Sequence, residues 1–135
     1  MIAPGTPLNV VDSSAWLAYL ADEPAAASFA AAIEDTDRLV VPSVCILEVF
    51  KVLLRQRGEG DALQAAALMH QGRVIPLDAS LALSSAQLGL RHRLPLADSI
   101  VYATAQAIDG IVWTQDDDFA ELPGVKYLAR TRTGN

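Results

Sequence analysis

Sixteen acidic side chains are spread along this sequence, and four of the places they occupy could do chemistry together. Asp12 ends the apolar run Asn9-Val10-Val11 and is followed by Ser13-Ser14. Glu48 stands alone among Cys45, Ile46, Leu47, Val49 and Phe50, where a surface helix would carry more charge. Asp98 opens the small, apolar stretch Leu96 to Ala107, and Asp116, Asp117 and Asp118 follow the run Ile111 to Thr114. Each has a plain structural reading. Asp12 suits a helix cap, Asp98 a first turn favoured by the helix dipole, Glu48 an ion pair with Lys51 one turn on, and the triplet a solvated turn. If Asp12, Glu48, Asp98 and Asp116 converge, however, four carboxylates raise one another's pKa unless a cation neutralises them. An all-oxygen cage selects a hard cation, Mg²⁺ or Mn²⁺, which suits phosphodiester hydrolysis. Consecutive side chains point apart, so at most two of the triplet are expected to serve, Asp116 first and Asp118 second.

The elements that must position these acids follow from the apolar pattern. Short β-branched runs alternate with longer helical stretches, the pattern of a parallel sheet covered by helices. Strands are expected at Leu8 to Val11, Leu39 to Val41, Arg73 to Leu77, Ile111 to Thr114 and, more weakly, Val125 to Leu128. Helices are expected at Ser13 to Leu20, at Pro24 to Ile33 with proline in the first turn, and at Ser43 to Gln56 with a Pro-Ser pair able to cap. Three more are expected at Asp61 to His70 opening on a capping aspartate, at Ala79 to Arg91 after Asp78 in the same role, and at Leu96 to Ile108. Gly58, Gly60 and Gly72 mark helix ends, and Pro95 sets the last helix apart from the one before it. In an open parallel sheet the ligand crevice lies beyond the carboxyl ends of the strands, where Asp12 and Asp116 stand.

Composition narrows the function. The 135 residues fit one α/β domain, with residues 1–7 as a short leader; 52% are hydrophobic, ample for one core, and the net charge of −6 argues against nucleic-acid binding through bulk positive charge. One cysteine, Cys45, excludes an intramolecular disulfide and a thiolate zinc cage, and with only His70 and His92 beside it any metal is expected on oxygen. Neither histidine is given a catalytic role. No run is apolar enough to span a membrane, and the expected address is the cytoplasm.

Taken together, four strings resemble the PIN-domain ribonucleases, and among them the VapC-type toxins of prokaryotic toxin–antitoxin pairs. These are the strand into Asp12-Ser13-Ser14, the helix start from Pro42 to Glu48, the approach Leu94-Pro95-Leu96-Ala97-Asp98, and Thr114 to Phe119. The resemblance spans essentially the whole chain and implies a three-layer α/β/α fold with a central parallel sheet of four to five strands. It implies that Asp12, Glu48, Asp98 and Asp116 are the catalytic, metal-binding acids, that Asp118 is a further acid of the metal site, and that Ser14 and Thr114 support it. It further implies Mg²⁺- or Mn²⁺-dependent endonucleolytic cleavage of RNA that inhibits translation and growth, a cognate antitoxin and a homodimer. The sequence departs from the family in carrying Gln115 and Asp117 where many relatives have a basic residue. The basic residues left to meet RNA are Lys51, Arg55 and Arg57 after Glu48, and Arg91 and Arg93 before Asp98. Trp16, Phe50, Trp113 and Phe119 read as packing residues, of which Trp16 and Phe50, with Leu17, Tyr19, Leu53 and Leu54, are the candidates for a partner surface. Two rival readings differ in class. A catalytically silent PIN-like protein-binding module would keep the fold without the chemistry. A phosphotransfer domain with an aspartate nucleophile would need a second acid two residues on, where Ser14 stands.

Overall fold

The computed structural model describes residues 5–130 and holds five strands and six α-helices. In chain order they are β1 (Asn9–Val11), α1 (Ser13–Leu20), α2 (Ala26–Glu34), β2 (Leu39–Pro42), α3 (Ser43–Gln56), α4 (Glu59–Met69), β3 (Arg73–Ile75), α5 (Ala79–His92), α6 (Leu96–Ala107), β4 (Ile111–Thr114) and β5 (Val125–Tyr127). A single 3₁₀ turn, Asp117–Phe119, lies between the last two strands. All pairings are parallel and the strand order is β3-β2-β1-β4-β5. This is the α/β architecture with a central parallel sheet that the sequence pattern implies.

Every residue of β1 and of β2 is buried. Side chains alternate between the two faces of a strand, so helices must cover both. Trp16, Tyr102, Phe29, Phe119, Leu39 and Met69 are the bulkiest of the core side chains packed around Val10, Val11, Val40 and Val41. The chain leaves β1 for β2 and β3 on one side and returns to β4 on the other, so β1 and β4 flank the switch point of the sheet, where a crevice opens at the strands' carboxyl ends. The register pairs Val11 with Trp113, which brings Asp12, just after β1, level with Thr114 at the end of β4.

Several local expectations are corrected. Helix α2 starts at Ala26, not Pro24, because the Ala26 N–H closes a turn onto the Glu23 carbonyl at 2.8 Å and holds the proline outside the helix. Helix α4 starts two residues before Asp61, behind Gly58 at φ +99°, so Asp61 lies within the first turn and caps nothing, and Gly60 is inside the helix. Pro42 precedes α3 with no side-chain cap. By contrast, Asp78 caps α5 by accepting from the Leu81 N–H at 2.9 Å. Arg93 ends that helix in the left-handed conformation at φ +57°, ahead of Pro95. The proposed leader falls partly on residues 1–4, outside the described residues.

Candidate functional site

Asp12 is delivered by β1 into the N-cap of α1, and with 3% of its surface exposed it is a buried carboxylate that must be satisfied internally. Its Oδ1 accepts from the Ala15 N–H at 3.1 Å and from Ser14 Oγ at 2.7 Å, and its Oδ2 accepts from Thr114 Oγ1 at 2.9 Å. The Thr114 hydroxyl in turn accepts from the Asp116 N–H at 2.9 Å. Ser14 Oγ accepts from the Gln115 N–H at 3.1 Å. Two hydroxyls therefore lace the start of α1 to the end of β4, and both hydroxyl positions singled out in the sequence take part.

Asp98 arrives from the first turn of α6, and a close helix contact places it there. A Cβ on Gly89 of α5 would collide with Ser99 Oγ, and that hydroxyl donates to the Pro95 carbonyl at 2.9 Å. The outcome is convergence: one carboxylate oxygen from each of Asp12, Asp98 and Asp116 lies within 4.8 Å of the other two. Glu48 is not in this group. It is half-buried and accepts from Ser13 Oγ at 2.6 Å. Among the described residues it makes no ion pair with Lys51, because the serine next to Asp12 holds it.

The triplet departs from expectation. Asp116, Asp117 and Asp118 do bring their carboxylates within 4.8 Å of one another. Asp116 Oδ1 accepts from the Asp118 N–H at 2.9 Å and curls the chain into the 3₁₀ turn, so the side chains fan around one point instead of diverging. Asp117 and Asp118 are exposed.

Electrostatics follow the geometry. Burial pushes Asp12 up to about 6 despite the hydrogen bonds from Ser14, Ala15 and Thr114 that favour its ionised form, and the charge of Asp116 adds to the rise. Asp98 is pushed up to about 8, first by burial, then by the charge of Asp116 and a hydrogen bond to it, then by Asp12 and Asp118. Asp118 is raised by desolvation and then by its two acidic neighbours. Burial, and then the charge of Asp12, hold the Cys45 thiol protonated. A cluster of oxygen donors that resists joint ionisation is one that a hard divalent cation stabilises, so the residues present fit such an ion.

The remaining candidates sort by exposure. Lys51, Arg55, Arg91 and Arg93 are exposed and unpaired among the described residues. Arg57, also among the basic residues expected, lines a cleft with Ser14 and Gln115, and Arg130, whose place after β5 no motif marks, lines both that cleft and the one walled by Asp116 and Asp117. His70 turns back onto the Ala66 carbonyl at 2.8 Å, and His92 packs edge-on against Tyr102. Trp16 and Leu53 belong to the core, so neither is free to meet a partner; Leu17, Tyr19 and Phe50 are half-buried and Leu54 is exposed. The Trp16 Nε1 has no hydrogen-bond partner among the described residues.

Comparison with known proteins agrees with this architecture. The PIN domain family model matches residues 10–125. Among solved structures, a toxin–antitoxin complex from Klebsiella pneumoniae contains a chain similar at a TM-score of 0.76 and 22% identity, covering 91% of this chain and 99% of that one. The sarcin-ricin loop cleaving toxin VapC20 of Mycobacterium tuberculosis is similar at 0.73 and 22% identity, covering 87% and 96%. DNA-bound VapBC from Salmonella typhimurium contains a chain similar at 0.70 and 13% identity, covering 92% and 98%. No curated protein matches the sequence. With the match running from β1 to the start of β5 and taking in Asp12, Asp98 and Asp116, the chain belongs to the PIN domain family.

Proposed function

We propose that this protein is a metal-dependent endoribonuclease that acts as the toxin of a toxin–antitoxin pair, inhibiting translation and growth. The observation that carries the reading is the convergence of Asp12, Asp98 and Asp116 within 4.8 Å at the switch point of the sheet. These three acids would hold Mg²⁺ or Mn²⁺, with Asp118 and Glu48 as further acids at the margin. Such a cation acidifies the attacking water and offsets charge on the phosphate. The chain's own part is orientation. Thr114 and Ser14 fix Asp12 in one rotamer, Thr114 ties the Asp116 backbone to it, and Gly89 seats α6 so that Asp98 completes the cluster.

The toxin role is supported by the similarity to chains of toxin–antitoxin complexes over nearly their whole length. An RNA target is supported by the similarity to a toxin that cleaves the sarcin-ricin loop. A cognate antitoxin and a second copy of the chain are the proposed protein partners. The apolar groove of about 460 Å³ between α5 and α6, edged by exposed Leu90 and Leu96, offers surface for the second copy. The proposed site of action is the cytoplasm; among the described residues no helix is long and apolar enough to cross a membrane.

Induced expression in bacterial cells tests this reading. The chain should arrest growth and Asp98→Asn, produced at equal level and folded, should not. Arrest by both proteins would transfer the function to binding alone, the silent-module reading.

A further inference from the structure

Two arginines that the acidic site does not use meet around one cleft beside it. Arg57, just past the end of α3, and Arg130, beyond β5, line a cleft of about 170 Å³ together with Ser14 and Gln115. Gln115 and Arg130 also line the adjoining cleft of about 500 Å³, whose wall includes Asp116, Asp117 and Tyr127. Gln115 and Arg130 stand in the walls of both hollows, with Asp116 in the larger and Arg57 in the smaller, a track of residues from Asp116 past Arg130 to Arg57.

The charges along this track are informative in a chain of net charge −6. Neither arginine is ion-paired to a carboxylate among the described residues; the one ion pair there is Arg38 with Asp35. Glu23 shares the smaller cleft, but Gln115 Nε2 donates to it at 3.4 Å. Among the described residues the only polar contact of the Arg57 guanidinium is a long one, Nη1 donating to the Leu20 carbonyl at 3.5 Å. Both forks are thus available to an anion, and guanidinium is the side chain best matched to a phosphate. The acids next to the track would repel an acidic peptide and a polynucleotide alike until a cation neutralises them. Only the polynucleotide has a reason to span both places, since its scissile phosphate must sit at the acids while its neighbours continue along the strand.

We propose that Arg130 and Arg57 form a phosphate-binding subsite that anchors single-stranded RNA flanking the cleaved bond, Arg130 next to the acids and Arg57 one step further out. The proposal rests on the ribonuclease reading for what occupies the acidic cluster. Of the basic residues expected from the sequence it keeps Arg57, sets aside Lys51, Arg55, Arg91 and Arg93, and adds Arg130.

The test is binding of a fluorescent single-stranded RNA of mixed sequence to the full chain carrying Asp98→Asn, so that nothing is cut, followed by anisotropy across a salt series. On that background Arg57→Ala and Arg130→Ala should each weaken binding about fivefold or more and lower the salt slope by about 0.7, the share of one single-strand phosphate. Arg57→Lys and Arg130→Lys should recover most of the slope. Arg73→Ala, on the strand at the edge of the sheet, should leave both quantities unchanged, and melting curves identify any variant that fails to fold. Unchanged affinity and slope in both alanine variants, or no RNA binding by the parent, overturns the subsite. So does loss of a co-purified antitoxin with RNA binding intact, which would assign the arginines to the protein partner. Failure of the nuclease reading is separable: a wild-type chain that binds RNA through these arginines and cuts nothing keeps the subsite and loses the enzyme.

Discussion

The Thr114 hydroxyl donates to Asp12 Oδ2 at 2.9 Å while accepting from the Asp116 N–H at the same distance. One side chain at the end of β4 thus sets the spacing of two acids that are 104 positions apart in the sequence. Thr114→Val keeps the shape, removes both bonds, and leaves a buried carboxylate oxygen short of a donor. It should destabilise the fold by about 1–3 kcal/mol, lower any metal-dependent cutting, and be largely rescued by Thr114→Ser. Urea unfolding and initial cleavage rates on the three proteins check this.

The raised carboxyls make stability depend on pH with a definite sign. Asp12 and Asp98 bind their protons up to about 6 and about 8 in the folded chain, against 3.8 ordinarily. The folded state therefore holds more protons than the unfolded one, and its stability is greatest in mild acid and is lost as pH rises through that window. Thermal midpoints of the chelator-treated protein should fall between pH 4 and pH 8 as these two groups ionise. Mn²⁺ added at the alkaline end should restore the midpoint. A midpoint indifferent to pH and to Mn²⁺ would contradict the clustering.

Glu48 is separated from the three converging acids and held by Ser13. Glu48→Gln should then lower Mn²⁺ affinity only a few-fold, while Asp116→Asn should lower it by roughly tenfold or more. Calorimetric titration of both variants distinguishes the two roles. Equal losses would place Glu48 among the direct ligands.

Gly89 lies where α5 and α6 touch, and a methyl group there would meet Ser99 Oγ. Helix propensity alone favours Gly89→Ala by up to about 1 kcal/mol, but the collision is expected to dominate and to cost about 1–3 kcal/mol. Because Ser99 follows Asp98, the displaced helix should also carry that carboxylate away from Asp12. A melting temperature that rises with cutting unchanged would show that the helices have room.

Much of this site was legible because strand ends and helix starts leave local marks. The apolar run into Asp12-Ser13-Ser14 placed both β1 and the cap, and the run ending at Thr114 fixed β4 residue for residue. Parallel topology then determined that the two ends are neighbours. What escaped depends on contacts between distant residues. Nothing near Glu48 announces that Ser13 will hold it, and nothing in Arg130 announces that the chain after β5 returns to Gln115. The aspartate triplet departs from the rule that consecutive side chains point apart, because a backbone bond to Asp116 Oδ1 makes the turn tight. Pro24 and Asp61 misled for a related reason. Each is a good helix-start residue standing next to a better-placed one, the turn onto Glu23 and the positive-φ Gly58.

The most direct measurement is cleavage of a mixed pool of tRNA and rRNA by the purified, antitoxin-free chain, with Mg²⁺ or Mn²⁺, with chelator, and with folded Asp98→Asn alongside. Discrete fragments that require the metal and vanish in the variant are the expected result. Intact RNA under every condition, from a folded chain that demonstrably binds the metal, would contradict the assignment of Asp12, Asp98 and Asp116 to hydrolysis.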